Sequence, residues 1–259
     1  MTYTVQRFGW IRDLPDQRDH LYAAPIQALV SLPPAVDLQQ TFPDVYDQGN
    51  LGSCTANGIA AAIEFDRSVQ KCAEQWRPSR LFIYYNERKI EHTVDSDSGA
   101  MIRDGIKSVA KQGVCPEEHW PYKVEKFRDA PTPQCYQEAA AYRAVQYQRL
   151  SQNLRQMKGC LASGFPFVFG FVVYASFEDP DVARTGIVPM PHPSEDMLGG
   201  HCVTAVGYDD ASQCFIVRNS WGAGWGQNGY CRMPYAYLID PQLASDFWTI
   251  RFVSCGRGA

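Results

Sequence analysis

Long apolar runs, closely paired cysteines and any excess of basic residues are all missing from this chain of 259 residues. The longest apolar stretch, Phe165 to Tyr174, is too short to span a bilayer and is interrupted by Gly170, so no membrane contact is expected. No Cys-x-x-Cys occurs among the nine cysteines, which counts against a zinc ribbon; the odd total counts against a complete disulfide framework. A net charge of −4 offers no basic patch, so nucleic acid is not an expected partner. The start, Met1 to Arg7, lacks the basic-then-apolar pattern of a secretory signal, and no Asn-x-Ser/Thr acceptor occurs. These absences point to reduced thiols and a cytoplasmic setting, with non-classical export left open.

What is present fits one sizeable globular body. The hydrophobic fraction of 45% and charged fraction of 20% argue against extensive disorder. Residues 1–34 stand apart, with Pro15, Pro25, Pro33 and Pro34, runs of mixed charge, and an apolar cluster of Val5, Phe8, Trp10 and Ile11 that reads neither as a helix nor as a domain. Ala35 to Leu38 then reads as a strand entering the main body, residues 35–259. Helical spacing follows from Cys54, with Ala56, Ile59, Ala60 and Ile63 on one face, then around Leu81, Phe82 and Tyr85, from Ile102 to a stop at Gly113, and from Leu154 to Leu161. Phe165 to Tyr174, Gly186 to Val188, His201 to Tyr208, Cys214 to Arg218 and Tyr230 to Met233 read as strands. A helical first half and a strand-rich second half predict an α+β protein of two lobes with a groove between them.

Within the stretch Asp47 to Gly58, a glycine-rich turn delivers Cys54 to the start of a helix, where unpaired N–H groups and the helix dipole favour a thiolate. A thiol nucleophile needs a base and a group that orients the base. Gly200-His201-Cys202 opens an apolar strand, and Val217-Arg218-Asn219-Ser220-Trp221-Gly222 ends the next one. Alone, His201 reads as a core histidine and Asn219 as a turn residue; the ordered set reads as a mechanism. The glycine-rich Gly222 to Gly229 leads into a strand rather than a helix, so it lacks the context of a dinucleotide loop.

The Gln48 to Cys54 spacing, the strand from Gly200 to Tyr208 and the run Asn219-Ser220-Trp221-Gly222-x-Gly224-Trp225-Gly226 together resemble the papain-like cysteine peptidases, with Asp37, Ser98-Gly99 and Trp120-Pro121-Tyr122 in the family's order. Papain is the standard illustration of a histidine-paired, low-pKa cysteine, so the chemistry is the family's. The resemblance implies a papain-like fold, a helical lobe facing an antiparallel, barrel-like β lobe. It also implies peptide-bond hydrolysis on polypeptide substrates through an acyl-enzyme, without cofactor or metal. Cys54 would be the nucleophile, His201 the base, Asn219 its orienter, Gln48 with the Cys54 N–H the oxyanion hole, and Trp221 a shield over the His201–Asn219 bond. Ser98, Gly99 and Ala100 would pair with substrate backbone. Met101, Ile102, Gly170, Gly200 and Cys202 would line a pocket, expected to favour an apolar residue, for the side chain second from the cleaved bond. Acyl transfer to an amine, or a silent peptide-binding protein, are the competing functions.

Two departures matter. Leu51 and Thr55 stand where most of the family has a disulfide-bonded cysteine and an aromatic residue, and Asp97 to Ala100 lacks the partner cysteine, so the turn is expected to rely on apolar packing. The other thiols, Cys72, Cys115, Cys135, Cys160, Cys202, Cys214, Cys231 and Cys255, are expected to be buried and reduced, Cys115 with Cys135 and Cys214 with Cys231 being the pairs that could bridge. No long helical propeptide is present; residues 1–34 read either as an arm along the body or as a strap over the cleft, anchored by Phe8, Trp10 and Ile11, that keeps the enzyme latent as a zymogen.

Overall fold

The computed structural model describes residues 8–256; Val5 and the outermost ends of both sequence-defined segments lie outside them. From Phe8 the chain forms two short strands, β1 (Trp10–Ile11) and β2 (Leu21–Tyr22), and a short helix, α1 (Ile26–Val30), before β3 (Ala35–Asp37). The helical lobe follows as α2 (Cys54–Val69), α3 (Arg80–Ile90), β4 (Ala100–Met101), α4 (Ile102–Gln112) and α5 (Pro133–Ala139). Then come β5 (Ala144–Leu150), α6 (Leu154–Ala162), β6 (Phe167–Tyr174), α7 (Pro180–Thr185), β7 (Met197–Asp209), β8 (Cys214–Arg218), β9 (Tyr230–Pro234), α8 (Tyr235–Ile239) and β10 (Ala244–Val253).

Local chemistry sets the helix ends. The Ser79 side chain caps α3 by accepting from the Phe82 N–H, and Asn153 caps α6 by accepting from the Gln156 N–H. Gly113, at φ 82°, ends α4 where a side chain would strike the Ala139 carbonyl. Helix α2 is not one-faced as its spacing suggests. Every residue from Cys54 to Ile63 is buried, because small residues such as Ala56, Gly58, Ala60, Ala61 and Ala62 let neighbours close in on all sides.

The main sheet runs β2-β5-β10-β6-β7-β8-β9, with β3 paired to β7, and is antiparallel apart from the β2–β5 edge. Strand β6 is buried on both faces. Phe167, Phe169, Phe171 and Val173 join the core of the β lobe, while Val168 and Val172 join the core shared with the helices. The register opposes Phe171 to His201 and Gly170 to Cys202, so His201 and the Gly170–Cys202 pair fall on opposite faces. The stretch Gly186 to Val188 forms no strand beyond a single bridge from Ile187 to Arg232. Gly186, at φ 68°, is spent in ending α7.

The cysteine expectation needs correction. Cys72 and Cys255 form a disulfide that ties the end of α2 to the C-terminal tail, whereas Cys115, Cys135, Cys214 and Cys231 are unpaired. The cytoplasmic expectation loses the part of its argument that rested on wholly reduced thiols. Among the described residues no helix is long and apolar enough to cross a membrane.

Candidate active site

Cys54 is the first residue of α2, fully buried, and its sulfur is faced by the backbone N–H groups of Cys202, Gly9 and Thr55. The turn before it is held by polar groups more than by apolar packing. The Asp97 carboxylate accepts from the Gly52 N–H at 3.0 and 3.2 Å, joining the two segments that a disulfide usually joins in the family. The Tyr122 hydroxyl donates to the Gln48 carbonyl at 2.9 Å and lies 2.6 Å from Ser53 Oγ, and Thr55 Oγ1 donates to Glu87 at 2.6 Å. Leu51, 2% exposed, supplies the apolar share.

Gln48 is fully buried, its amide locked at both ends. Nε2 donates to the Leu51 carbonyl at 2.9 Å, and Oε1 accepts from Ser220 Oγ at 2.6 Å. Across the cleft, His201 Nε2 lies 2.8 Å from Asn219 Oδ1, which also accepts from the Ser220 N–H at 2.8 Å. Since an amide oxygen can only accept, the proton sits on Nε2, and Nδ1 keeps its lone pair with no hydrogen-bond partner among the described residues. Trp221 covers the pair, its ring 4.8 Å from the imidazole, and Trp225 and Phe177 pack behind it.

Burial decides the protonation states. It pushes the Cys54 thiol up to about 12, against the pull of the Cys202, Gly9 and Thr55 N–H groups, and pushes His201 down to about 4, against its bond to Asn219. The helix dipole alone would favour a thiolate; here desolvation wins. Part of that desolvation comes from the N-terminal segment. Gly9 passes over the Cys54 turn so closely that a side chain on it would strike the Gly52 carbonyl, and its own carbonyl accepts from the Ala100 N–H at 2.8 Å. Trp10 and Ile11 pair in parallel with Ala100 and Met101.

Trp10, 7% exposed, fills a trough that exists because Gly170 and Gly200 have no side chains; a Cβ on Gly170 would lie 1.9 Å from the indole. Phe8 packs on Gly199 with its ring 6.4 Å from that of His201, whereas Ile11, 38% exposed, is no anchor. Of the other sequence-derived pocket residues, Ile102 and Cys202 share the Trp10 core, and Met101 donates its N–H to Glu91. Gly99, at φ 74°, lies flat against Gly9; Ser98 turns to Thr93 and the Gly99 carbonyl. One residue at this site escaped sequence reading. Asp246, on β10, accepts from Trp10 Nε1 at 3.2 Å. Among the described residues no three His, Cys, Asp or Glu side chains converge as metal ligands would.

Two lobes meeting over a buried Cys54, with an imidazole oriented by an amide on the facing sheet, define a cysteine peptidase of papain-like fold. The chain belongs to the papain family: the family model described as papain family cysteine protease matches residues 32–240. The peptidase C1-like protein L477 of Acanthamoeba polyphaga mimivirus is 45% identical over 279 residues, spanning 98% of this chain and 89% of the viral protein. Xylellain, a cysteine protease from Xylella fastidiosa, is 45% identical and superposes with a TM-score of 0.91 over 97% of this chain and 98% of its own. A cathepsin B-like protein of Giardia intestinalis is 27% identical over 78% of this chain and 69% of its own length. The protein is a hydrolase, a papain-like cysteine endopeptidase.

Proposed function

We propose that Cys54, His201, Asn219 and Gln48 carry this peptidase's reaction on polypeptide substrates, and that residues 8–24 hold the enzyme latent. His201 Nδ1 takes the thiol proton, and the sulfur attacks the scissile carbonyl carbon. The oxygen that becomes negative is held by the Cys54 N–H and the second N–H of Gln48 Nε2. Nδ1–H then protonates the departing amine, leaving a thioester. Water, deprotonated by the same nitrogen, attacks the thioester and releases the acid, returning the thiol. Asn219 keeps the imidazole in the tautomer that has its lone pair on Nδ1, and Trp221 keeps water from competing for that bond.

Latency rests on one observation, Gly9 pressed between Gly52 and Gly99 above the thiol. A substrate backbone needs that space and the Ala100 N–H. In the full-length chain, Gly9→Val has no room for its side chain and must lift the segment. Hydrolysis of a fluorogenic dipeptide is expected to rise by roughly five- to a hundredfold, since a Cβ inside van der Waals contact costs on the order of 1–3 kcal/mol. Cys54→Ala should abolish turnover in that background. Equal rates for the wild type and Gly9→Val would remove the latency reading, and activity surviving Cys54→Ala would remove the assignment of the nucleophile.

A further inference from the structure

The peptide unit between Leu51 and Gly52, just ahead of the nucleophile, is gripped from both sides. Its carbonyl accepts from Gln48 Nε2 at 2.9 Å and from the Ser53 N–H at 2.8 Å. Its N–H donates to the Asp97 carboxylate at 3.0 and 3.2 Å. A peptide unit is planar, so a carboxylate that fixes the N–H also fixes where the carbonyl points. That carbonyl holds the Gln48 amide, whose second N–H serves the oxyanion. Asp97 reaches the other wall of the cleft as well. The hydroxyl of Tyr84, a buried residue of α3, donates to Asp97 Oδ1 and accepts from the Gly99 N–H at 3.2 Å. With its one proton given to a carboxylate, this hydroxyl has only lone pairs to offer Gly99. The Gly99 N–H is thereby spent, and the next donor along the chain, the Ala100 N–H, is the one that Gly9 takes at 2.8 Å. Arg88, stacked on the Tyr84 ring at 4.0 Å, donates to the Val94 and Ser96 carbonyls at 2.8 and 3.0 Å and so holds the loop that carries Asp97.

We propose that Asp97 and Tyr84 are positioning residues for the reaction. Asp97 orients the peptide unit that aims Gln48 at the oxyanion, and Tyr84 ties the same carboxylate to the strand that pairs with substrate backbone. This deepens the peptidase reading and rests on it. The two halves act on different kinetic constants. Removing the Asp97 carboxylate releases the peptide plane and with it the Gln48 amide, whose worth is realised only as charge develops on the oxygen, so kcat falls. Removing the Tyr84 hydroxyl loosens Gly99 and Ala100, which hold substrate and transition state alike, so KM rises.

The test uses the full-length chain opened by Gly9→Val and a fluorogenic dipeptide. Asp97→Ala is expected to lower kcat by roughly ten- to a hundredfold, less than the hundred- to thousandfold worth of the donor it aims. Tyr84→Phe is expected to raise KM by roughly three- to tenfold, the worth of one hydrogen bond, with kcat within about twofold. Because Asp97 acts through Gln48, adding Asp97→Ala to Gln48→Ala should cost less than about threefold more in kcat. A merely structural carboxylate would cost as much with Gln48 absent as with it present. Should Asp97→Ala fail to fold, Asp97→Asn decides the first half. It keeps an acceptor oxygen for Gly52, so kcat within about threefold of the parent agrees with the proposal, and a larger loss that persists beside Gln48→Ala contradicts it. An unchanged kcat in Asp97→Ala, an undiminished loss in the Gln48→Ala background, or a Tyr84→Phe effect confined to kcat overturns this inference alone. Absence of all hydrolysis in the Gly9→Val parent while iodoacetamide labels Cys54 overturns the peptidase reading, and the inference with it.

Discussion

Gln48 shows how much of the site depends on single hydrogen bonds. Its amide oxygen is held by Ser220 and one amide N–H by Leu51, so the remaining N–H has a fixed direction rather than a spread of rotamers. Fixed donors aimed at developing charge need no reorganisation during reaction, which is the source of their catalytic worth. In a chain opened by Gly9→Val, Gln48→Ala should lower kcat by roughly a hundred- to a thousandfold with little change in KM, since the bond strengthens only as the oxygen becomes negative. A matching rise in KM with kcat preserved would mean that Gln48 only binds substrate. Cys54, His201, Asn219 and Gln48 could be picked out as candidates from sequence because one mechanism would set their spacing and neighbours. Asp246 could not. Nothing in Ser245-Asp246-Phe247 signals a bulge, and its partner Trp10 is 236 residues away.

Among the elements, the N-terminal segment places a buried carboxyl, Asp13, against the body, so its docking is expected to respond to pH. Asp13 is raised from 3.8 to about 6, first by burial and then by the Asp246 carboxylate, against hydrogen bonds from Trp248 Nε1 at 2.8 Å and the Arg103 N–H at 3.1 Å and the Arg103 charge. Asp246 is raised as well, so the two carboxyls titrate as a pair beside Arg103, Arg149 and Asp19, with Asp16 and Lys107 further along. The sign follows from linkage. A carboxyl whose pKa is higher docked than free favours docking fully below its free value, and that contribution is lost as pH rises through about 6. The segment should therefore sit tightest in acid and loosen toward neutrality. The measurement is iodoacetamide labelling of Cys54 from pH 4 to 8, divided by that of Asp13→Asn, which stays neutral throughout and cancels the thiol's own titration. The ratio is expected to climb between about pH 4 and 6 and level off above that, by at most about a hundredfold for two pKa units. A flat or falling ratio would show that Asp13 does not govern docking. Element by element, β8 and α4 were legible because a short apolar run between turn residues and a glycine stop are local signals. Strands β5 and β10 were not, because β10 breaks its own alternation at the bulge and most of β5 between its buried ends is exposed or half-buried.

At the scale of the whole molecule, the sheet carries two cores back to back, one shared with α2, α3 and α4 and one under α6, α7 and α8, and the ends of the chain are fastened separately. The N-terminal segment from Phe8 is fastened without a covalent link, by strand pairing and side chains. The C-terminal end is fastened covalently, by Cys72–Cys255, across a sequence separation of 183. That pairing could not be read from the sequence, since neither cysteine lies in a motif and their approach depends on α2 and β10 packing side by side. A cross-link closing so long a loop removes unfolded-chain entropy worth on the order of 5 kcal/mol. For a protein of this size each kcal/mol moves Tm by roughly 2–4 °C. Cys72→Ser with Cys255→Ser should therefore lower Tm by roughly 10 °C or more, while leaving kcat/KM of a Gly9→Val chain within a few-fold, because the bridge touches neither Cys54 nor His201. Reduction of the parent protein should reproduce the shift, and the double variant should be indifferent to reductant. A parent Tm that ignores reductant would mean that the bridge adds nothing to stability, and a loss of turnover in the double variant at unchanged Tm would mean that it reaches the cleft.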